Sequence, residues 1–233
     1  MCGRYVMSRA TGDLLAYYDA TEAAGSAPGP SWNVAPTQNV PIVAEKLSED
    51  VLERRLLTAR WGLVPSWAKD VKLGSSLINA RSETILEKPS FRKAAVKRRA
   101  LVPAEGWFEW EKSPDGKKIP TYLHSETEDM LSLAGLYEFW PDTSLPEDDE
   151  NKWLLSCTIL TTTAQDSLGH IHDRAPLIVP RDLHADWLDP MTTSAADVQQ
   201  LLAAIPEPVI TPRIVSDRVN SVRNNGPELV EPA

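Results

Sequence analysis

From end to end the chain is cut into short runs of β-branched and aromatic residues, each closed off by Gly, Pro, Asn or Asp. GRYVM, VPIVAEK, LLTARWGLV, SSLINARSE, ALVPAEGWFEW, IPTYLHSE, LSLAGLYEFW, WLLSCTILTT and APLIVP all read as strands. SPDGKK (113–118), between two of these runs, reads as a hairpin turn. Helical periodicity is confined to TGDLLAYYDA (11–20), PSFRKAAVKRR (89–99) and SAADVQQLLAAI (194–205), where Ser194 is a natural N-cap. Long helices do not alternate with the strands, which argues against a parallel βαβ sheet. The expectation is an α+β fold: a largely antiparallel, barrel-like sheet with a few peripheral helices. At 233 residues and 42% hydrophobic content the chain can bury a full core, and we expect one domain over 1–233, with surface loops near 21–31 and 141–151.

No run approaches the ~20 apolar residues of a membrane span, and the start lacks the basic and apolar regions of a signal peptide. The expected setting is inside the cell: cytoplasm or nucleoid in a bacterium, nucleus in a eukaryote. Two distant cysteines, Cys2 and Cys157, fit a reducing compartment and give no zinc or disulfide spacing. A net charge of −9 offers little non-specific grip on nucleic acid. The charge is uneven, however: FRKAAVKRRA is basic and PDTSLPEDDEN acidic, so a local basic surface can act within a Debye length. The simpler reading of the basic run is a solvated helix face.

Cys157 sits in an apolar run and reads as a small core residue. Cys2 differs, because removal of Met1 would leave a thiol and an α-amine on one Cα. With an α-amine pKa of ~7.7–8.0, roughly a tenth or more of that amine is neutral at pH 7. It could condense with an aldehyde, after which the thiol closes a five-membered thiazolidine, or it could act as base for the thiol as in N-terminal nucleophile hydrolases. Elsewhere, Asn79 and Arg81 in LINARSE share a strand face, suited to orienting an intermediate and clamping an anion, or simply an exposed face. In PAEGWFEW the aromatic neighbours Trp107, Phe108 and Trp110 should raise the Glu109 carboxyl pKa, with Glu105 as the rival carboxylate. Alternation would put Glu105, Trp107 and Glu109 on one side unless Gly106 marks a bulge. In GHIHDRAP either His170 or His172 could move a proton near pH 7, and Arg174 follows on the same parity. The spacing of the histidines is weak grounds for a metal.

MCGRY, WNVAPTQ (32–38), RWGLVPSWAKD (60–70), LINARSET (77–84), LVPAEGWFEW (101–110), ILTTTA (159–164), IHDRAPLIV (171–179) and the tail VSDRVNSVRNNGPELVEP occur in order along nearly the whole chain. Together they resemble the SOS response-associated peptidase (SRAP) family, the abasic-site processing proteins. The resemblance implies a single SRAP domain that holds single-stranded DNA and captures the ring-opened aldehyde of an abasic site as a covalent thiazolidine on the mature N-terminal Cys2. It assigns Asn79 as the orienting amide, Glu109 as the acid/base carboxylate and His172 as the proton-transferring imidazole. Arg4, Arg81 and Arg174 would contact phosphates, Trp67 and Trp110 would give stacking surface, and Asn33 and Pro36 would shape the wall. Trp67 reads alternatively as a core aromatic. Ala175 stands after HDR where larger residues can occur in the family, and 141–151 looks like a peripheral insertion. The implied partner is single-stranded DNA containing abasic sites, acting on a monomer with no metal, cofactor, membrane or obligatory protein partner. Two rival classes remain: an N-terminal-nucleophile peptidase or amidase, including one that only removes its own first residue, and a non-covalent nucleic-acid binder in which Cys2 is structural.

Overall fold

The computed structural model describes residues 2–22, 27–127, 129–164, 168–169 and 171–233. Its strands in chain order are β1 (Tyr5–Met7), β2 (Thr21–Glu22), β3 (Ser31–Val34), β4 (Asn39–Ser48), β5 (Val51–Trp61), β6 (Asn79–Arg81), β7 (Arg99–Ala104), β8 (Gly106–Lys112), β9 (Lys118–Ser125), β10 (Leu131–Pro141), β11 (Trp153–Thr163), β12 (Arg174–Pro176) and β13 (Ile210–Ile214). The helices are α1 (Thr11–Tyr18), α2 (Arg92–Lys97), α3 (His184–Leu188) and α4 (Ala195–Ala204). One antiparallel sheet runs β13-β9-β8-β1-β3. The other runs β12-β11-β10-β7-β4-β5-β2, and a parallel pairing of β11 with β5 closes β11-β10-β7-β4-β5 into a five-stranded barrel. The α+β, largely antiparallel, barrel-like reading therefore holds, with parallel pairing limited to the partners of β5 and β11.

Closure serves burial. Ile42, Leu56, Leu101, Leu133 and Ile159 from the barrel share one apolar cluster with Tyr5, Trp107 and Leu123 from the other sheet. At roughly 25 cal/mol per Å² of apolar surface removed from water, this shared cluster is the main stabilising term. No helix among the described residues is long and apolar enough to cross a membrane.

Local chemistry explains where the elements begin and end. The 113–118 turn joins β8 to β9, with Gly116 at φ +82° and its N–H donating to Ser113 O. The runs VPIVAEK and LLTARWGLV turn out to be parts of one long hairpin, β4–β5, whose polar middle hides the pairing from a pattern reading. Its tight turn places Glu49 and Asp50 at positive φ, the backbone that favours two-residue hairpin loops. Around α4, Ser194 Oγ accepts the Asp197 N–H at 3.0 Å, as its sequence position suggests. Helix α2 is shorter than the 89–99 pattern because the chain enters β7 at Arg99. That arginine is buried, and its guanidinium donates to the carbonyls of Trp187 (2.7 Å), Ala95 (3.1 Å), Thr192 (2.9 Å) and Asp189 (2.6 Å). The basic run is thus a solvated face at Arg92, Lys93 and Lys97, but not at Arg99.

Two loop readings are adjusted. Residues 142–152 are the connection of the β10–β11 hairpin. Within 21–31, Thr21–Glu22 form a short parallel edge strand on β5 and Ser31 opens β3, while 23–26 lie outside the described residues.

The run ALVPAEGWFEW divides at Glu105, where the chain leaves the barrel strand β7 for β8 of the other sheet. This breaks strand parity. Glu105 turns to Ser8, whose N–H (2.7 Å) and hydroxyl both donate to it, and to Arg9 (3.0 Å). Trp107 belongs to the shared core, whereas Phe108 and Trp110 pack in a second cluster on the opposite face. A Cβ on Gly106 would fall 2.5 Å from Leu123 O and 2.6 Å from the Tyr122 ring, so the crossing requires glycine.

Candidate functional site

Cys2 is fully buried three residues before β1, and the pairing of Tyr5 with Trp107 carries it to the face of β8 that bears Glu109. Asn79, at the start of β6, donates its Nδ2–H to the Cys2 carbonyl at 2.7 Å. The register of β6 on β11, with Asn79 opposite Ile159, sets that reach. Burial pushes the Cys2 thiol well above its ordinary range, and the Glu109 charge adds to this. The positive charge at the chain start and the Arg4 N–H act the other way. A thiol so placed is protonated at neutral pH.

Glu109 is 3% exposed, and its partner across β9 is the buried Thr121. Burial raises its carboxyl to about 7. A carboxyl balanced between its two forms near neutrality can both give and take a proton. Of the aromatic neighbours expected around it, Trp107 shares its face, while Phe108 and Trp110 pack in the other cluster.

His172 lies two residues before β12. The Arg174 backbone N–H donates to its Nδ1 at 3.0 Å, which makes Nδ1 the acceptor and places the proton of the neutral ring on Nε2. Burial, then the charge at the amino terminus, lowers the pKa of the ring below its ordinary value, so it is mostly neutral at pH 7. Asp173 Oδ1 is also 2.8 Å from Nδ1, a contact that favours the protonated ring instead. His170, the other imidazole weighed from sequence, lies outside the described residues, as does Met1.

The remaining candidates divide by what they touch. Arg4 donates to Asn33 Oδ1 (2.8 Å) and Val219 O (2.9 Å) and lies 6.0 Å from the Trp110 ring. Asn33 is buried and donates to the carbonyls of Ser221 (3.0 Å) and Asn224 (2.8 Å), while Trp110 Nε1 donates to Asn220 Oδ1 (2.7 Å). These three residues therefore hold the tail segment 219–224 in place, a role the sequence did not announce because backbone carbonyls carry no residue signature. Pro36 is half-buried in the turn after β3, and Arg81 is exposed at the end of β6. Trp67 is 58% exposed, which excludes the core reading, and it lines a surface cleft with Pro65, Pro89, Arg92 and Lys93. Arg174 forms a two-pronged ion pair with Glu83, at 2.7 and 2.9 Å. Glu83 was not singled out from sequence, although it stands inside LINARSET. Among the described residues no cluster of His, Cys, Asp and Glu has the makings of a metal site.

Comparison with known proteins gives a consistent picture. The family model described as SOS response associated peptidase (SRAP) matches residues 1–222. Abasic site processing protein YoqW of Bacillus subtilis (strain 168) is 38% identical over 232 residues, covering 99% of this chain and 99% of that protein. Abasic site processing protein HMCES of Gallus gallus is 31% identical over 87% of this chain and 66% of its own length. A crystal structure of a protein from Bacteroides thetaiotaomicron superposes with a TM-score of 0.81 at 26% identity, covering 100% of both chains.

Proposed function

On the premise that this chain belongs to the SOS response associated peptidase (SRAP) family, we propose that it processes abasic sites in single-stranded DNA by covalent capture on the mature N-terminal Cys2. The observation that supports this most directly is the 2.7 Å bond from Asn79 to the Cys2 carbonyl, which fixes the first mature residue in a buried site where the Glu109 charge acts on its thiol.

Once Met1 is removed, the neutral α-amine adds to the aldehyde of the open-chain sugar, and the carbinolamine loses water to give an imine. Glu109 in its acid form supplies the proton that leaves with the hydroxyl. The Cys2 thiol then adds to the imine carbon: the S–C bond forms, the C=N π pair moves to nitrogen, and the thiol proton ends on nitrogen through Glu109. The product is a thiazolidine. His172, neutral and carrying its proton on Nε2, is suited to move a proton from the anomeric hydroxyl to the ring oxygen as the C1–O ring bond breaks and the sugar opens. Asn79 keeps the nucleophile from rotating away. Exposed Arg81 offers a phosphate contact, and the open indole of Trp67 beside Arg92 and Lys93 offers a stacking shelf next to positive charge.

The family name carries a second reading, a peptidase with Cys2 as nucleophile. That chemistry needs a thiolate at the outset, and burial works against one. Amine-first capture uses the thiol only after the imine has formed.

The test is incubation of the mature protein, its missing Met1 verified by intact mass, with single-stranded DNA carrying one abasic site, followed by a denaturing gel. A slower band that Cys2→Ala removes is the expected result. Unshifted lesion-bearing strands with the mature protein would overturn the proposal, and turnover of a peptide substrate would favour the rival.

A further inference from the structure

Near its end the chain forms two 3₁₀ turns, Asp217–Asn220 and Pro227–Leu229, joined by residues 221–226. Val219 and Leu229, both fully buried, root the turns in the second apolar cluster beside Phe108 and Tyr122. Between these roots the loop is pinned from three other segments. Arg4 Nη1 donates to Val219 O (2.9 Å), buried Asn33 donates to the carbonyls of Ser221 (3.0 Å) and Asn224 (2.8 Å), and Trp110 Nε1 donates to Asn220 Oδ1 (2.7 Å). Asn225 Oδ1 accepts the Trp32 N–H at 2.7 Å, and Asn224 Nδ2 closes the loop onto Arg218 O at 2.7 Å.

A surface loop ordinarily keeps much of its backbone freedom, and here that freedom is removed. What the pinned loop presents to solvent is an apolar side chain and a cation side by side. Val222 is 51% exposed. Arg223 is exposed too, and its side chain makes no hydrogen bond or ion pair among the described residues. Arg218, by contrast, is paired with Glu228 at 3.3 Å. A cation carried on an ordered backbone loses less conformational entropy on meeting an anion than one on a mobile loop. Arg4 and Trp110, expected from the sequence to meet a phosphate and a base, are the residues that hold this loop, and Arg4 reaches it through Nη1 alone. A strand lying against those two residues therefore runs on to Val222 and Arg223.

We propose that residues 221–225 extend the single-stranded DNA track beyond Trp110, with Arg223 contacting a backbone phosphate of a nucleotide flanking the lesion and Val222 lying against the adjoining sugar. The contact serves affinity and takes no part in the covalent step. It rests on the single-stranded DNA reading given above.

The experiment is fluorescence anisotropy of the mature protein with a labelled single strand carrying one tetrahydrofuran residue, an abasic analogue without an aldehyde, at several salt concentrations. Arg223→Ala should weaken binding by about threefold to tenfold and reduce the slope of log affinity against log salt by about 0.7, the counterion release of one phosphate contact on a single strand. Arg223→Lys keeps the charge and should keep the slope. With a strand bearing a true abasic site, Arg223→Ala should raise the half-saturating concentration for single-turnover crosslinking by the same factor and leave the maximal rate unchanged. Wild-type affinity and slope in Arg223→Ala, an Arg223→Lys slope equal to that of Arg223→Ala, or a lowered maximal rate at saturation overturns the proposal. Wild-type protein that binds the analogue and never crosslinks to the true lesion would sink the capture chemistry and leave this contact standing, whereas wild-type protein that binds no strand would sink the DNA reading itself.

Discussion

At Glu109 the burial that makes ionisation costly also supplies a proton donor near neutrality. Its carboxyl is raised from 4.5 to about 7, so its folded form prefers the proton. The stability it contributes is fully present below about pH 4.5 and is lost as pH rises through 7, a difference on the order of 3 kcal/mol. Glu109→Gln should therefore match wild type in thermal melts at pH 4 and exceed it at pH 8, while its crosslinking rate at pH 7 falls by roughly a hundredfold. His172 has the opposite sign. Its pKa is lowered, so its contribution is present above the ordinary histidine value of 6.5 and is lost as pH falls through the lowered one. His172→Gln should flatten the stability profile on that acidic side, as pH-dependent melts would show. The aromatic neighbours made Glu109 legible in the sequence, but the depth of its burial was not, because it depends on the pairing that sets Thr121 of β9 opposite it. For Arg174 the sequence showed the charge and not its partner. Glu83 lies 91 residues earlier, and only the folding of both segments onto β11 brings them together.

Among the elements, β8 and α2 show why boundaries were harder to read than strands. Gly106 in ALVPAEGWFEW could be seen as a possible irregularity, yet nothing local says that the run belongs to two sheets. Gly106→Ala should destabilise by about 1–3 kcal/mol in urea titrations, because the added carbon meets a backbone carbonyl that cannot move aside. At α2 the cationic run ends with an arginine that a charge pattern assigns to solvent. Arg99→Met would leave the carbonyls of Trp187, Asp189 and Thr192 without this donor, and should cost about 3 kcal/mol or more, read from the denaturation midpoint. The 113–118 turn, by contrast, was plain from its residues, since a Gly at positive φ is a local requirement.

For the molecule as a whole, the decisive feature is that barrel and second sheet share one apolar cluster. Neither can open without exposing the other's core, so urea transitions followed by tryptophan fluorescence and by far-UV circular dichroism should coincide. Separated transitions would show that the sheets are independent. The residues alone sufficed for the strand-rich antiparallel class, the hairpin turn and the presence of a cysteine at position two, because turn preference, side-chain periodicity and functional-group chemistry belong to short segments. Barrel closure, the face on which Glu109 lies, the exposure of Trp67 and the pairing of Arg174 came from the folded chain. Burial and hydrogen-bond geometry arise between segments as far apart as the 215 residues from Arg4 to Val219, and no local pattern encodes a partner at that distance.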